Sequence, residues 1–205
     1  MSEPIITIVD DDDAVRDSLA LLLNFRGFRC RSFAGAEECL AAWSPDWRGC
    51  LLLDLRMGGM DGLDLQQALA RRGSRLPVVF LTGHGDIAHA RAALKAGAVD
   101  FLEKPYAEDA LLEAVREAVA CDARQHAEHT YSEEIAARRA RLSERERQVM
   151  DLAVAGKPNR EIAALLEISP RTVEVFKARM MEKMQARSLP ELVRMCLDSE
   201  PKDAA

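Results

Sequence analysis

Nothing in the sequence resembles a membrane span or a secretory leader. The chain has 205 residues, and none of its apolar runs approaches the roughly eighteen uncharged residues that a membrane helix needs. Its first residues are not a basic segment leading into an apolar core, as a signal peptide would be. With 48% hydrophobic and 30% charged residues, the composition is neither collagen-like nor typical of a disordered chain. We therefore expect a cytoplasmic protein without a membrane partner.

The cysteines do not form any pattern that binds zinc. They include no Cys-x-x-Cys pair, and no cluster of histidines is present to complete a zinc site. We interpret them as small buried side chains in a reducing compartment. The five are Cys30, Cys39, Cys50, Cys121 and Cys196.

The two parts of the chain differ in charge. Residues 1–120 carry 13 Lys or Arg and 19 Asp or Glu, whereas residues 138–187 carry 12 and 7. An acidic part followed by a basic part indicates two modules, of which the basic one suits nucleic acid. The polar, alanine-rich stretch between them lacks glycine and proline, which favours a helical linker. We predict domains at 1–120 and 142–198, a linker at 121–141 and a tail at 199–205.

The first domain alternates short apolar runs with amphipathic segments of helical length. The runs at 50–53 and 77–82 are apolar on both faces. Strands of this kind belong to a parallel sheet that helices cover on both sides. We predict an α/β fold with a doubly wound, five-stranded parallel sheet. The five predicted strands are residues 5–9, 28–33, 50–53, 77–82 and 98–102.

The second domain shows only helical periodicity and contains strong helix-start signals. Two capping-box patterns and a serine directly before a proline mark helix starts. We predict four helices, beginning near residues 143, 160, 170 and 189. The second and third are joined by residues 167–169, a connection as short as that of a helix-turn-helix. The candidate N-caps are Ser143, Asn159, Ser169 and Ser188.

Polar side chains lie at the ends of the predicted strands of the first domain. Asp10 and Asp11 follow the first strand, Asp54 the third and Lys104 the fifth, while Thr82 ends the fourth. Because the carboxyl ends of parallel strands meet at one edge of a sheet, we expect these side chains to converge. Crowded carboxylates bind a hard divalent cation such as Mg²⁺. A carboxylate beside such a cation can accept a phosphoryl group, since the cation and a lysine neutralise the developing charge.

Four segments together resemble the receiver domain of two-component response regulators. They are IVDDDD, LLLDLRMGGMDG, FLTGHGD and FLEKP, and the resemblance spans residues 4–118, with the CheY-like fold that it implies. It implies that Asp54 is the phosphoacceptor and that Asp10 and Asp11 serve a Mg²⁺ or Mn²⁺ ion. It also implies that Lys104 contacts the phosphoryl group.

The resemblance further implies a conformational switch and a backbone metal ligand. Thr82 matches the switch hydroxyl of the family, Phe101 its switch aromatic side chain, and the backbone carbonyl of Arg56 a metal ligand. Four residues after the phosphoacceptor the family usually has proline, where this chain has Gly58 followed by Gly59. Because glycine loses more entropy than other residues on ordering, we expect a more flexible loop and a less preorganised metal site.

Some of these residues also have a purely structural interpretation. Asp12 or Asp13 is the expected N-cap of the first helix. Asp10 and Asp11 could instead form a solvated loop. Phe101 alone would be an ordinary core residue, and its position shortly before the predicted lysine favours the switch interpretation.

Residues 142–198 resemble the LuxR-type helix-turn-helix domain of the FixJ and NarL group of response regulators. In the third helix, Val173, Phe176, Met180 and Met184 recur at helical spacing and predict a buried face. The opposite face is then free to enter the major groove of DNA. The groove-facing residues are predicted to be Arg171, Glu174, Val175, Ala178 and Glu182.

Nearby hydroxyl and basic side chains are the candidates for contacts with DNA phosphates. We predict Thr172, Lys177, Arg179 and Lys183 for this role. Arg179 and Lys183 could instead be solvated, and Glu174 could form an ion pair with Lys177. The last helix forms the dimer contact in the family, although it could also simply close the core of the monomer.

The two domains together predict a transcription regulator. A sensor histidine kinase would phosphorylate Asp54, and the phosphorylated chain would form a homodimer that binds double-stranded DNA; RNA polymerase is a further candidate partner. We expect no enzymatic activity beyond the receiver's own phosphorylation and dephosphorylation. Two alternatives stay open, a phosphate-independent DNA-binding regulator and an aspartate-nucleophile phosphatase. The phosphatase would need a second acid where this chain has Arg56.

Overall fold

The computed structural model describes residues 3–83 and 97–198. The chain folds as two compact units, residues 1–126 and 127–205, which we call the front and rear units. The predicted linker belongs to one long helix, Glu108–Ala140, and the division between the units falls within this helix. Among the described helices, none has the length and apolarity to span a membrane.

The front unit contains the predicted five-stranded parallel sheet. The strands lie in the order β2-β1-β3-β4-β5, and every neighbouring pair is parallel. This order confirms the doubly wound fold, and the strand boundaries shift by only one or two residues from those predicted. The strands are β1 Ile5–Val9, β2 Arg29–Phe33, β3 Gly49–Asp54, β4 Val78–Thr82 and β5 Asp100–Glu103.

Helices pack on both faces of this sheet. Strand β3 shows why, since Leu52 belongs to one apolar layer while Leu51 and Leu53 belong to the other. Alternate residues of a strand point to opposite faces, so a strand that is apolar throughout needs cover on both sides. The described helices of this unit are α1 Asp13–Phe25, α2 Ala36–Ala42, α3 Gly62–Arg71 and α4 Glu108–Ala140. Helices α1 and α4 contribute to the first layer, and α2 and α3 to the second.

An ion pair fastens α4 to the beginning of β3. Nε of Arg48 lies 3.0 Å from Oδ2 of Asp122, and the same carboxylate oxygen accepts the backbone N–H of Gly49 at 3.1 Å. Asp122 is buried. Its charge is therefore compensated by the guanidinium and by a backbone donor, as a buried carboxylate requires.

The rear unit consists of the end of α4 and the four predicted helices. Helices α6 and α7 are joined by residues 167–169, the predicted short connection of a helix-turn-helix. Met150, Met180, Met184 and Leu192 are fully buried in its core. The helices are α5 Glu144–Val154, α6 Asn159–Leu166, α7 Pro170–Met184 and α8 Leu189–Asp198.

The helix caps follow the prediction at Ser143 and Ser169 but not at Asn159. Ser143 forms a complete capping box with Glu146, and Ser169 accepts the N–H of Thr172 just before Pro170. The prediction for Asn159 was wrong, because α6 already begins at this residue and the extended backbone of the cap position belongs to the preceding proline. The side chain of Asn159 is thereby free to contact another helix.

None of the five cysteines takes part in a disulfide bond. The predicted burial is found at Cys39 and Cys50, whereas Cys30, Cys121 and Cys196 are only half-buried. Burial raises the pKa of the Cys39 thiol to about 12, so this side chain stays protonated and packs as a small apolar group.

Candidate functional site

Three carboxylates meet at the carboxyl edge of the sheet. Asp10 follows β1 and Asp54 ends β3, and these two strands are neighbours. One carboxylate oxygen from each of Asp10, Asp11 and Asp54 lies within 4.8 Å of the others. Asp10 is 1% exposed and Asp54 8% exposed, whereas Asp11 is open to solvent. The predicted convergence of the acids is therefore present.

Lys104 bridges the two buried carboxylates. Its Nζ lies 2.7 Å from Oδ2 of Asp10 and 3.2 Å from Oδ1 of Asp54. Burial by itself lowers the pKa of Lys104, but the hydrogen bond to Asp10 and the charges of both carboxylates outweigh this, so the pKa is raised. The lysine is thus a permanent positive charge beside Asp54.

The pKa of Asp54 lies above its ordinary value. Burial is the largest cause, and the negative charge of Asp10 acts in the same direction. The ammonium of Lys104 lowers the pKa but does not fully offset the burial. Because three carboxylates are clustered beside the single ammonium of Lys104, they carry more negative charge than the lysine compensates, and carboxylates in this condition bind a divalent cation.

Thr82 and Phe101 lie on the neighbouring strands. Thr82 ends β4, is 3% exposed and donates its hydroxyl proton to the backbone oxygen of Gly83 at 3.1 Å. Its own carbonyl accepts the N–H of Lys104 at 2.7 Å, which ties the ends of β4 and β5 together. Phe101 is half-buried against the layer of core formed by α2 and α3.

The loop after Asp54, residues 55–61, is held by two carboxylates. The N–H of Gly58 donates to Oδ2 of Asp11 at 3.1 Å, and the N–H of Met60 donates to Oε1 of Glu37 at 3.0 Å. Sequence reasoning named Asp11 but missed Glu37, because no motif connects it with a loop 23 positions further along the chain.

The second candidate site is the exposed face of α7. Val173, Met180 and Met184 are fully buried and Phe176 packs beside them, so the predicted core stripe is present. The opposite face is solvent-exposed and presents two apolar side chains, Val175 and Ala178, among polar ones. The exposed predicted residues are Arg171, Glu174, Val175, Ala178, Arg179 and Glu182.

Three of the predicted phosphate-contacting side chains have partners within the rear unit. The ammonium of Lys177 lies 3.1 Å from Oδ1 of Asn159, and the hydroxyl groups of Thr172 and Ser169 lie 2.8 Å apart. Lys183 contacts Glu146, with 2.6 Å between Nζ and Oε2.

Glu146 is the buried partner in this last ion pair. Its carboxylate is only 3% exposed. The hydrogen bond from Lys183, with those from Ser143, lowers the pKa of Glu146 to about 2. Lys183 therefore neutralises a buried carboxylate of the rear unit, and Glu146 is a further residue that motif reasoning assigned only to a helix cap.

Comparison with known protein families assigns each of the two units to a family. The family described as response regulator receiver domain matches residues 6–116, which include the whole acidic pocket and Lys104. The family described as bacterial regulatory proteins, luxR family, matches residues 140–196 and so contains the helix-turn-helix.

Several known proteins match this chain along nearly its whole length and their own. The transcriptional regulatory protein FixJ of Azorhizobium caulinodans is 47% identical over 94% of this chain and 91% of its own. FixJ of Rhizobium meliloti is 46% identical over 96% and 97%. Among solved structures, the response regulator StyR is 38% identical with a TM-score of 0.85, over 96% of this chain and 99% of its own. Full-length FixJ from B. japonicum is 42% identical with a TM-score of 0.58, over 97% and 98%. The chain therefore belongs to the response regulators that join a receiver domain to a LuxR-type helix-turn-helix domain, and it is a FixJ-like transcriptional regulator.

Proposed function

We propose that this regulator accepts a phosphoryl group on Asp54 from a sensor histidine kinase. A carboxylate oxygen of Asp54 attacks the phosphorus atom, and the bond between phosphorus and the donor's histidine nitrogen breaks as the new bond forms. The observation that carries this proposal is the position of the Lys104 ammonium, 3.2 Å from Asp54 and 2.7 Å from Asp10. A fixed positive charge at this place stabilises the charge that develops on the phosphoryl oxygens.

The residues around Asp54 fit a Mg²⁺ or Mn²⁺ ion. Their donor set is composed of carboxylate oxygens from Asp10, Asp11 and Asp54, all within 4.8 Å, and hard cations prefer oxygen ligands. We propose that the backbone carbonyl of Arg56 completes this set. The bound cation would neutralise part of the charge on the phosphoryl oxygens and on the crowded carboxylates.

We propose that Thr82 and Phe101 transmit the structural effect of phosphorylation at Asp54. A phosphoryl group adds about −1.5 to −2 charges and three acceptor oxygens at neutral pH. The hydroxyl of Thr82 would leave the backbone oxygen of Gly83 and donate to the phosphoryl group, and Phe101 would move into the space behind it. This rearrangement of β4 and β5 would favour a homodimer.

The output is proposed to be binding of double-stranded DNA by α7. Arg171, Glu174, Val175 and Ala178 are exposed on one face and would read base edges in the major groove. Of the residues predicted to contact phosphates, Arg179 is exposed and would contribute most, while Thr172, Lys177 and Lys183 are half-buried beside it and would contribute less. In a dimer, two such helices would meet half-sites about one turn of DNA apart. We place the protein in the cytoplasm, with RNA polymerase as a further proposed partner.

The test is to incubate the protein with acetyl phosphate and Mg²⁺ and to measure its intact mass. We expect a gain of one phosphoryl group in the wild type and none in Asp54→Asn or without Mg²⁺. Gel filtration and selection of bound sequences from random DNA would then compare the phosphorylated wild type with Asp54→Asn. If both select the same DNA with equal affinity, the regulator acts independently of phosphate and this proposal is wrong.

A further inference from the structure

We propose that Glu37 is a positioning residue for the metal site, through its hold on the loop of residues 55–61. This inference rests on the proposed metal site, because the same loop carries the backbone carbonyl of Arg56. Glu37 lies in the first turn of α2, outside the acidic pocket, and neither its position in the sequence nor its charge assigns it to the site.

Glu37 contacts the backbone of the loop directly. Its Oε1 accepts the N–H of Met60 at 3.0 Å. A carboxylate that accepts a backbone N–H makes a charge-assisted hydrogen bond, which is stronger than one between neutral groups. The second half of the loop is therefore fastened to α2.

Gly59 allows this close approach. Its φ angle is +88°, a conformation that other residues rarely adopt, and a Cβ atom here would lie 2.9 Å from Oε1 of Glu37. The loop backbone thus lies directly against the carboxylate. A Cβ at this position would displace the carboxylate from the place where it accepts the N–H of Met60.

Gly58 connects the same loop to the metal site. Its N–H donates to Oδ2 of Asp11, one of the three clustered carboxylates, at 3.1 Å. The loop is therefore held to α2 at Met60 and to a proposed metal ligand, Asp11, at Gly58. The carbonyl of Arg56 lies two residues before Gly58. Two consecutive glycines lose much conformational entropy on ordering.

The buried side chains of Leu55 and Met57 hold the first half of the loop, whereas the N–H groups of its glycine-rich second half are held by Asp11 and Glu37. Loss of Glu37 would therefore loosen the segment that follows the Arg56 carbonyl.

The experiment is a Mg²⁺ titration of the full chain, followed by NMR of the backbone amides. Three variants are compared with the wild type: Glu37→Ala, Glu37→Gln and Glu38→Ala. Glutamine keeps a side-chain oxygen that can accept the N–H of Met60 but lacks the charge. Glu38 lies on the same helical turn and accepts a different backbone N–H, that of Ala34, so its removal controls for lost charge and for changes in the helix.

We expect Glu37→Ala to weaken Mg²⁺ binding about fivefold, which is the change in affinity that corresponds to the typical free energy of one hydrogen bond. Glu37→Gln and Glu38→Ala should stay within about twofold of the wild type, since neither removes this contact. In the metal-free protein, the Met60 amide should exchange with solvent faster in Glu37→Ala but not in Glu37→Gln.

Equal weakening by all three variants would show an effect of charge and overturn the inference, as would unchanged binding in Glu37→Ala. A wild type that binds no Mg²⁺ would overturn the proposed metal site, and with it the role of Glu37 there. These failures are distinguishable, because the first two require a wild type that binds the ion. Amide exchange of Met60 shows separately whether Glu37 holds the loop.

Discussion

The ammonium of Lys183 lies 2.6 Å from the buried carboxylate of Glu146, so a side chain expected to contact DNA is paired with a buried group of the rear unit. A buried carboxylate that loses its cation retains its desolvation cost without compensation. Basic residues on α7 are therefore expected to have one of two functions: Lys183 stabilises the fold, whereas Arg179 is proposed to bind DNA phosphates.

Replacing Lys183 by Gln should destabilise the rear unit by about 2 kcal/mol. The matched control is Arg179→Gln on the exposed face of the same helix, which should change stability by less than about 0.5 kcal/mol. Arg179→Gln should instead reduce the slope of log affinity for DNA against log salt by about one. Urea unfolding and DNA titrations at several salt concentrations measure both. A reduced salt slope in Lys183→Gln without destabilisation would contradict this assignment.

The stability of the rear unit should fall in acid because of Glu146. Its pKa is lowered on folding from 4.5 to about 2, so the folded state favours the ionised form. This contribution is complete above pH 4.5 and is lost as the pH falls from 4.5 towards 2. Unfolding followed by the methyl NMR signals of Met150 and Met180 would report it. Glu146→Gln should be less stable at neutral pH, and its stability should decline less over this range.

Asp54→Asn should stabilise the front unit at pH 7. Folding raises the pKa of Asp54, so its ionisation favours the unfolded chain, and stability is lost as the pH rises from the ordinary value through the folded pKa. The neutral amide does not carry this cost. Fluorescence of Trp43 and Trp47, both packed in the front unit, would follow unfolding in urea. The difference between the two proteins should shrink in acid; a difference that persists there would exclude ionisation as its cause.

The two adjacent glycines of the loop should respond differently to alanine. Gly58 has open space where a Cβ would stand, whereas Gly59 has a φ of +88° and the carboxylate of Glu37 within 2.9 Å. We expect Gly59→Ala to destabilise the front unit by about 1–2 kcal/mol and to weaken Mg²⁺ binding. Gly58→Ala should be neutral or slightly stabilising, since it keeps the N–H that contacts Asp11 and restricts the unfolded chain. Urea unfolding and Mg²⁺ titration of both variants test this prediction. Equal effects at both positions would show that the φ angle of Gly59 and its contact with Glu37 do not explain the result.

The pocket of acids was predictable because it depends on topology. Parallel strands end at one edge, so Asp10, Asp54 and Lys104 must converge once the strands and their order are known. The buried stripe of α7 was predictable for a similar reason, since helical spacing alone determines a face. The roles assigned to Thr82, Phe101 and the exposed residues of α7 stay predictions.

Contacts between side chains distant in sequence were not predictable. Glu146 and Lys183 are 37 positions apart, and Asn159 and Lys177 are 18 apart. The local sequence suggested that Asn159 is a helix cap and that Lys177 and Lys183 contact DNA. Their partners in the structure depend instead on how two helices pack against each other. The same applies to Glu37, whose partner is a backbone N–H and therefore has no signal in the residue type.

The ion pair of Arg48 with Asp122 determines where the front unit can be cut from the rest of the chain. A fragment ending at residue 120, the boundary that the sequence suggests, would lose Asp122 and leave the buried N–H of Gly49 without its acceptor. A fragment ending at residue 126 would retain both contacts. We expect the shorter fragment to be less stable by about 1–3 kcal/mol. Truncation at the boundary that the sequence suggests would thus weaken β3, which carries the proposed phosphoacceptor, from its opposite end.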